Sequence, residues 1–150
     1  MLSTAQQERY ARHLLLQELG GEGQERLAAG AAIVQLPGAA AATALWATRY
    51  LAASGLGTLL LEGPWAEEAA AECARFWPDA RVQLGAHPAP PGAVRIVEGS
   101  GGALEVTVAT RDLGPAEAAA LGARAALEVV KRIAGAGHAA PLPLRIEAAP

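Results

Sequence analysis

Apolar positions near the start of the chain recur at helical spacing. Tyr10, Leu14, Leu15 and Leu19 fall on one face, behind Ser3 or Thr4, either of which can cap a helix N-terminus. Gln7 and Glu8 stand near the place of a capping-box partner, and Gly20-Gly21 predicts the helix stop. Residues 24–29 predict a short amphipathic turn. The pattern then changes to a continuous apolar run over 31–36, which reads as a buried strand broken by Pro37-Gly38. Residues 39–54 predict a long helix ended by Gly55 and Gly57. Residues 58–62 predict a second short strand closed by Gly63-Pro64, residues 65–76 a helix, and 81–84 a third strand.

The proline-rich stretch 87–92 fits neither a helix nor a central strand. Residues 94–97 read as a short edge strand, 99–102 as a turn and 104–109 as a fourth clear strand. Pro115 opens a helix running to Ala134, with Gly135 and Gly137 beyond its end. Residues 142–146 form the last predicted strand, and its proline points to an edge. Helices alternating with short buried strands predict one domain over 1–150, with an N-terminal helical extension over about residues 1–30. The expected class is three-layer α/β with a mainly parallel sheet.

Composition narrows this further. A hydrophobic fraction of 52% against 18% charged excludes a disordered chain, while aromatics at 4% make the core aliphatic, alanine-rich and thin. No run reaches the ~18 apolar residues of a membrane span, and the polar N-terminus is unlike a signal peptide, so a cytoplasmic protein is expected. A net charge of -3 argues against a broad nucleic-acid surface. Cys73 is the single cysteine, which excludes an internal disulfide and a CxxC zinc site; inside an alanine-rich helix it reads as a packing residue. His13, His87 and His138 lie on separate predicted elements and suggest neither a metal site nor a triad. Lys131 is the single lysine.

The segment RYARHLLLQELGGEGQERLAAGAAIVQL resembles the N-terminus of the ThiF/MoeB/HesA family, bacterial relatives of ubiquitin-activating enzymes. YLAASGLGTLLLEG is similar to that family's helix end and second strand, and ECARFWPDARVQLGA to its next helix and strand. GARAALEVVKRIAGAGHAAPLPLRIEAA is similar to its closing helix and last strand. The resemblance implies a Rossmann-like domain with an antiparallel C-terminal edge strand. It also implies ATP- and magnesium-dependent adenylation of the C-terminus of a ubiquitin-like or sulfur-carrier protein, in a homodimer. Arg12 matches the arginine that acts on the triphosphate of the neighbouring subunit, and Arg9 the first arginine of the same motif.

The parts of that reaction are incomplete in this sequence. Where a glycine-rich turn would cradle phosphates, only Gly38 remains, and Pro37 removes a donor. Glu62 matches the ribose-binding acid at the end of the second strand, beside the plainer reading of a solvated strand-end glutamate. The Asn/Arg/Gln segment and lysine that follow in the family are missing after Gly63-Pro64-Trp65. Aligning Thr110 on the magnesium motif puts Val108 at the metal-binding aspartate and Arg111 at the second acid, leaving Asp112 alone. The cysteine-bearing middle region is missing too. Without phosphate ligands, Arg12 reads as structural. The expectation is therefore a shortened, catalytically silent relative with no cofactor and no metal, acting as a binding or structural partner. Two alternatives stand beside it. One is retained ATP-dependent adenylyl transfer using Gly38, Glu62 and Arg12. The other is a small-ligand module at the strand carboxyl ends.

Overall fold

The computed structural model of the chain describes residues 1–36, 41–86, 88, 93–98, 105–108 and 113–146. Its first helix, α1 (Thr4–Arg9), begins with a capping box: Ser3 Oγ accepts from the Gln6 amide, and Gln6 Oε1 accepts from the Ser3 amide. Tyr10 then turns inward, 3% exposed, and breaks the helix, so α2 (Ala11–Leu14) is a separate turn. The expected single helix ending at Gly20 is thus divided, because Leu15 and Leu16 stay exposed and supply no continuous buried face. Gly20-Gly21 does not stop a helix; it opens α3 (Gly20–Ala29), which absorbs the expected amphipathic turn.

Beyond this extension the elements alternate: β1 (Ala31–Gln35), α4 (Ala41–Ala53), β2 (Thr58–Glu62), α5 (Ala66–Phe76) and β3 (Arg81–Leu84). Next come β4 (Val94–Glu98), β5 (Glu105–Val108), α6 (Pro115–Ala134) and β6 (Leu144–Ile146). Proline at the first position of α6, the Glu117 carboxylate on the Gly114 amide and left-handed Gly135 at the end give this helix the boundaries expected from sequence.

All six strands are parallel, in the order β3-β2-β1-β4-β5-β6. This is a Rossmann-type α/β arrangement, with two corrections. First, β4 lies inside the sheet between β1 and β5, not at its edge. Second, β6 does lie at the edge but runs parallel to β5, not antiparallel. The 20-residue α6 carries the chain back along the sheet, so the next strand runs the same way as β5.

Which face the helices cover follows from strand alternation. Ala32 and Val34 of β1, Leu59 and Leu61 of β2, Ile96 of β4 and Ile146 of β6 point into one core. Leu27 of α3, Leu51 of α4, Cys73 of α5 and Leu121, Ala125 and Val129 of α6 meet them there. The intervening positions carry Arg81 and Gln83, Thr58 and Glu62, Gln35, Arg95 and Arg145, around a buried apolar pair, Ile33 and Leu60. Parallel sheets are usually apolar on both faces; among the described side chains, the second face of this one is mixed. Among the described residues, the expected three layers are represented by two, sheet and helices.

Placing α4 and α6 on one face has a topological consequence. From β1 to β2 the chain steps one way along the sheet, and from β5 to β6 it steps the other. Two such units with helices on the same face have opposite hands, so one of them departs from the right-handed rule. The helices also pack very closely. A Cβ on Gly122 of α6 would lie 2.6 Å from the Thr43 carbonyl oxygen and 2.6 Å from Trp46 Cβ on α4. Replacing Gly122 by Val must push α4 and α6 apart. The expected cost is about 1–3 kcal/mol, read as a lower urea midpoint with an unchanged slope; a midpoint equal to wild type would show that the helices do not touch here.

Candidate functional site

Open α/β sheets bind ligands outside the carboxyl ends of their strands, where the strand order reverses. Here that point lies at β1, between β2 and β4. Gln35 and Glu62 end β1 and β2 in direct register. The Leu36 amide donates to the Glu62 carbonyl at 2.7 Å, tying the two strand ends together. Gly63 then turns at φ +112, and a Cβ there would lie 2.5 Å from the Leu36 carbonyl oxygen. Only glycine fits this turn, which passes tightly over the fully buried Leu36.

Glu62 is the chemically distinctive group at this end. Its Oε2 accepts from Gln35 Nε2 at 3.2 Å and from Arg95 Nη1 at 3.0 Å. The two charged side chains are only 16% (Glu62) and 25% (Arg95) exposed. Glu62 is therefore not a solvated strand-end residue but one half of a mostly buried ion pair. Arg95 stands opposite Ile33 in the register, so its guanidinium crosses β1 to reach β2. Trp65 is partly exposed at the start of α5, and Trp46 stacks on Tyr50 with Arg49 over its ring.

Other residues singled out in the sequence stand elsewhere. Gly38, with the rest of the turn at 37–40, and Thr110, Arg111, Asp112 and His87 lie outside the described residues; Val108 ends β5. Arg12 is exposed on α2 and has no hydrogen-bond or ion-pair partner among the described residues. Its motif neighbours behave differently. Arg9 Nε lies 3.1 Å from Asp79 Oδ2, an ion pair whose oxygen receives no well-aligned hydrogen bond. The buried Tyr10 hydroxyl has its pKa raised, first by burial and then by the Asp79 carboxylate. His13 Nδ1 lies 3.2 Å from Gln24 Oε1, while Gln24 Nε2 donates to the Ser54 carbonyl at 2.9 Å. Gln24 is completely buried.

These contacts bind α1, α2 and α3 to the end of α4 and to the turn before β3. Sequence reasoning missed Gln24, Asp79, Gln35 and Arg95. The one available signal was the position of Gln24, three residues before Leu27 on the buried face of α3. The others depend on which strands and turns become neighbours.

Cys73 is 1% exposed, and burial, followed by the neighbouring Glu72 charge, pushes its thiol up to about 11 against the opposing effect of Arg49. An apolar groove of about 290 Å³, lined by His13, Leu16, Leu27, Tyr50, Ser54 and Val130, lies at the amino ends of the strands, opposite the strand tips. Among the described residues, no three His, Cys, Asp or Glu side chains gather as metal ligands, and no helix is long and apolar enough to cross a membrane.

No protein-family model matches the chain, and no curated protein matches it. Two solved structures are similar to it. PaaA, solved in its selenomethionine form, is 21% identical at a TM-score of 0.51, over 65% of this chain and 45% of PaaA. TcdA (CsdL) is 17% identical at a TM-score of 0.51, over 79% of this chain and 54% of TcdA. The chain thus spans about half the length of these two structures, and the likeness is one of fold.

Two measurements test the roles assigned above. Gln24→Met keeps the bulk but removes both hydrogen bonds, and should cost about 1–3 kcal/mol by chemical denaturation; Arg12→Ala should leave the midpoint unchanged. Equal effects of the two would remove the distinction between a locking and a surface residue. For Cys73, a thiol at about 11 is ionised to only about one part in a thousand at pH 8. A disulfide reagent should label it only upon unfolding, and rapid stoichiometric labelling of the native protein would contradict this burial.

Proposed function

We propose that the chain is a catalytically silent relative of the ThiF/MoeB/HesA adenylating proteins, serving as a structural or binding partner. The fold likeness to TcdA (CsdL), a ThiF-family adenylating enzyme, supports the relationship. The observation that carries the silent reading is the inward use of the opening motif. Arg9, Tyr10, His13 and Gln24 hold the N-terminal helices against the domain and leave Arg12 alone at the surface. The residues that make the resemblance specific thus have a structural reason to be present, independent of nucleotide chemistry.

The strand tips add support. Adenylyl transfer needs donors and cations directed at a developing phosphate charge, and a magnesium ion needs several oxygen ligands. At these tips the Glu62 carboxylate is engaged by a cation of the same chain. The turn after it closes on Leu36 instead of extending toward a triphosphate. The described residues do not fit Mg-ATP, and no step is derived through it. The remaining function is recognition of another protein, with a second copy of the chain and a ubiquitin-like or sulfur-carrier protein as the candidates to examine first.

Isothermal titration with Mg-ATP should give no heat of binding, and pyrophosphate exchange with candidate carriers should stay at background. Micromolar affinity for Mg-ATP, or carrier-dependent exchange, would establish retained adenylation instead.

A further inference from the structure

We infer that Arg95 is a built-in occupant of the ligand position at the strand tips: its guanidinium, reaching from β4 across β1 to Glu62 on β2, denies that carboxylate to the cis-diol of a ribonucleoside. This rests on reading the tips as the remnant of a nucleotide site, and adds the residue that closes it. The bridge lies at the reversal of strand order, where an open sheet otherwise receives its ligand. Three strands contribute one side chain each, Glu62, Gln35 and Arg95, and both donors meet at a single oxygen, Oε2.

The geometry decides the competition. A carboxylate grips a cis-diol by accepting one hydroxyl on each oxygen, and Oε2 already accepts two hydrogen bonds. A ribose hydroxyl donating to the carboxylate is charge-assisted on one side only, so it would have to displace a bond in which both partners carry charge. It would also break the ion pair of the Arg95 guanidinium, which is only 25% exposed, with Glu62. Gln35 reinforces the arrangement, because its amide holds Glu62 toward β1 in the position where Arg95 meets it. The pair thus acts as a salt bridge within the fold and as a plug at its crevice.

Titration with adenosine tests the plug, with 2′,3′-dideoxyadenosine as the control lacking the diol. The wild-type chain should bind neither. Arg95→Ala, or Arg95→Met where bulk is needed for folding, should raise the adenosine association constant at least tenfold. Adding Glu62→Gln should abolish that gain, and the dideoxy compound should show none. Folded Arg95 variants that remain as silent as wild type would overturn the plug while leaving the silent-relative reading intact. Wild-type binding of Mg-ATP or adenosine would overturn that reading itself. A measurement on the unaltered chain covers variants that fail to fold: nitrogen-detected NMR should show hindered rotation of the Arg95 guanidinium. A freely rotating Arg95 would show that the bridge does not form, and the inference would fall.

Discussion

The rest of this structure depends on a sheet with one continuous apolar face among its described side chains. Ala32, Val34, Leu59, Leu61, Ile96 and Ile146 present a continuous aliphatic surface, while the alternate positions carry Arg, Gln, Glu and Thr around Ile33 and Leu60. Burial of aliphatic surface is the main favourable contribution to folding, at about 25 cal/mol per Å². Each amphipathic helix therefore has one place to go. α6, with Leu121, Ala125, Ala126 and Val129 along one stripe, joins α4 on that face even though the two βαβ units then have opposite hands. Handedness is a preference of the crossover; laying the α6 stripe on the polar face would leave apolar area in contact with charges.

Crowding the helices onto one face also explains the alanine and glycine content. Gly122 allows α6 to press against the Thr43 carbonyl and Trp46 Cβ, and Ala44, Ala47, Ala125 and Ala126 occupy the same core. Small residues give each helix little area to bury, so the layer gains by approach rather than by bulk. Such a layer is secured at its margins by polar contacts. Gln24 joins α2 and α3 to the end of α4, the Arg9–Asp79 pair joins α1 to the turn before β3, and Arg26 Nε donates to the Ala134 carbonyl at the end of α6. These contacts connect distant parts of the sequence at element ends, where backbone groups are otherwise unpaired.

Local pattern made the individual elements legible. The apolar runs placed β2, and Pro115 with Gly135 placed both ends of α6, because strand runs and helix caps are properties of neighbouring residues. What depended on pairing was not legible. Val94 to Glu98 is short, with Arg95 and Glu98 among its five residues, which resembles an edge strand, yet β5 and β6 extend the sheet beyond it. The proline before β6 marked an edge but carried no information about direction, which α6 determines by returning the chain along the sheet. At the candidate site the sequence located Glu62 as a strand-end acid. It could not reveal Arg95, thirty-three residues later, as its partner, because that pairing exists only once β1 separates β2 from β4.

Under the proposed silent reading, the same sheet bears on how a scaffold outlasts its chemistry. Polar residues at strand tips must be satisfied whether or not a ligand is present, since an unpaired buried charge destabilises the fold by several kcal/mol. In a ligand-binding domain the ligand or water can fill that role. Here Arg95 and Gln35 fill it from within the sheet, and the Leu36–Gly63 contact seals the adjoining turn. Each of these contacts stabilises the empty domain and disfavours a bound one, so stability and ligand access are set against each other at the same residues. A chain selected for its surface would keep the first at the expense of the second. The core is indifferent to that exchange, because the apolar face is buried by α3 to α6 irrespective of what the tips hold.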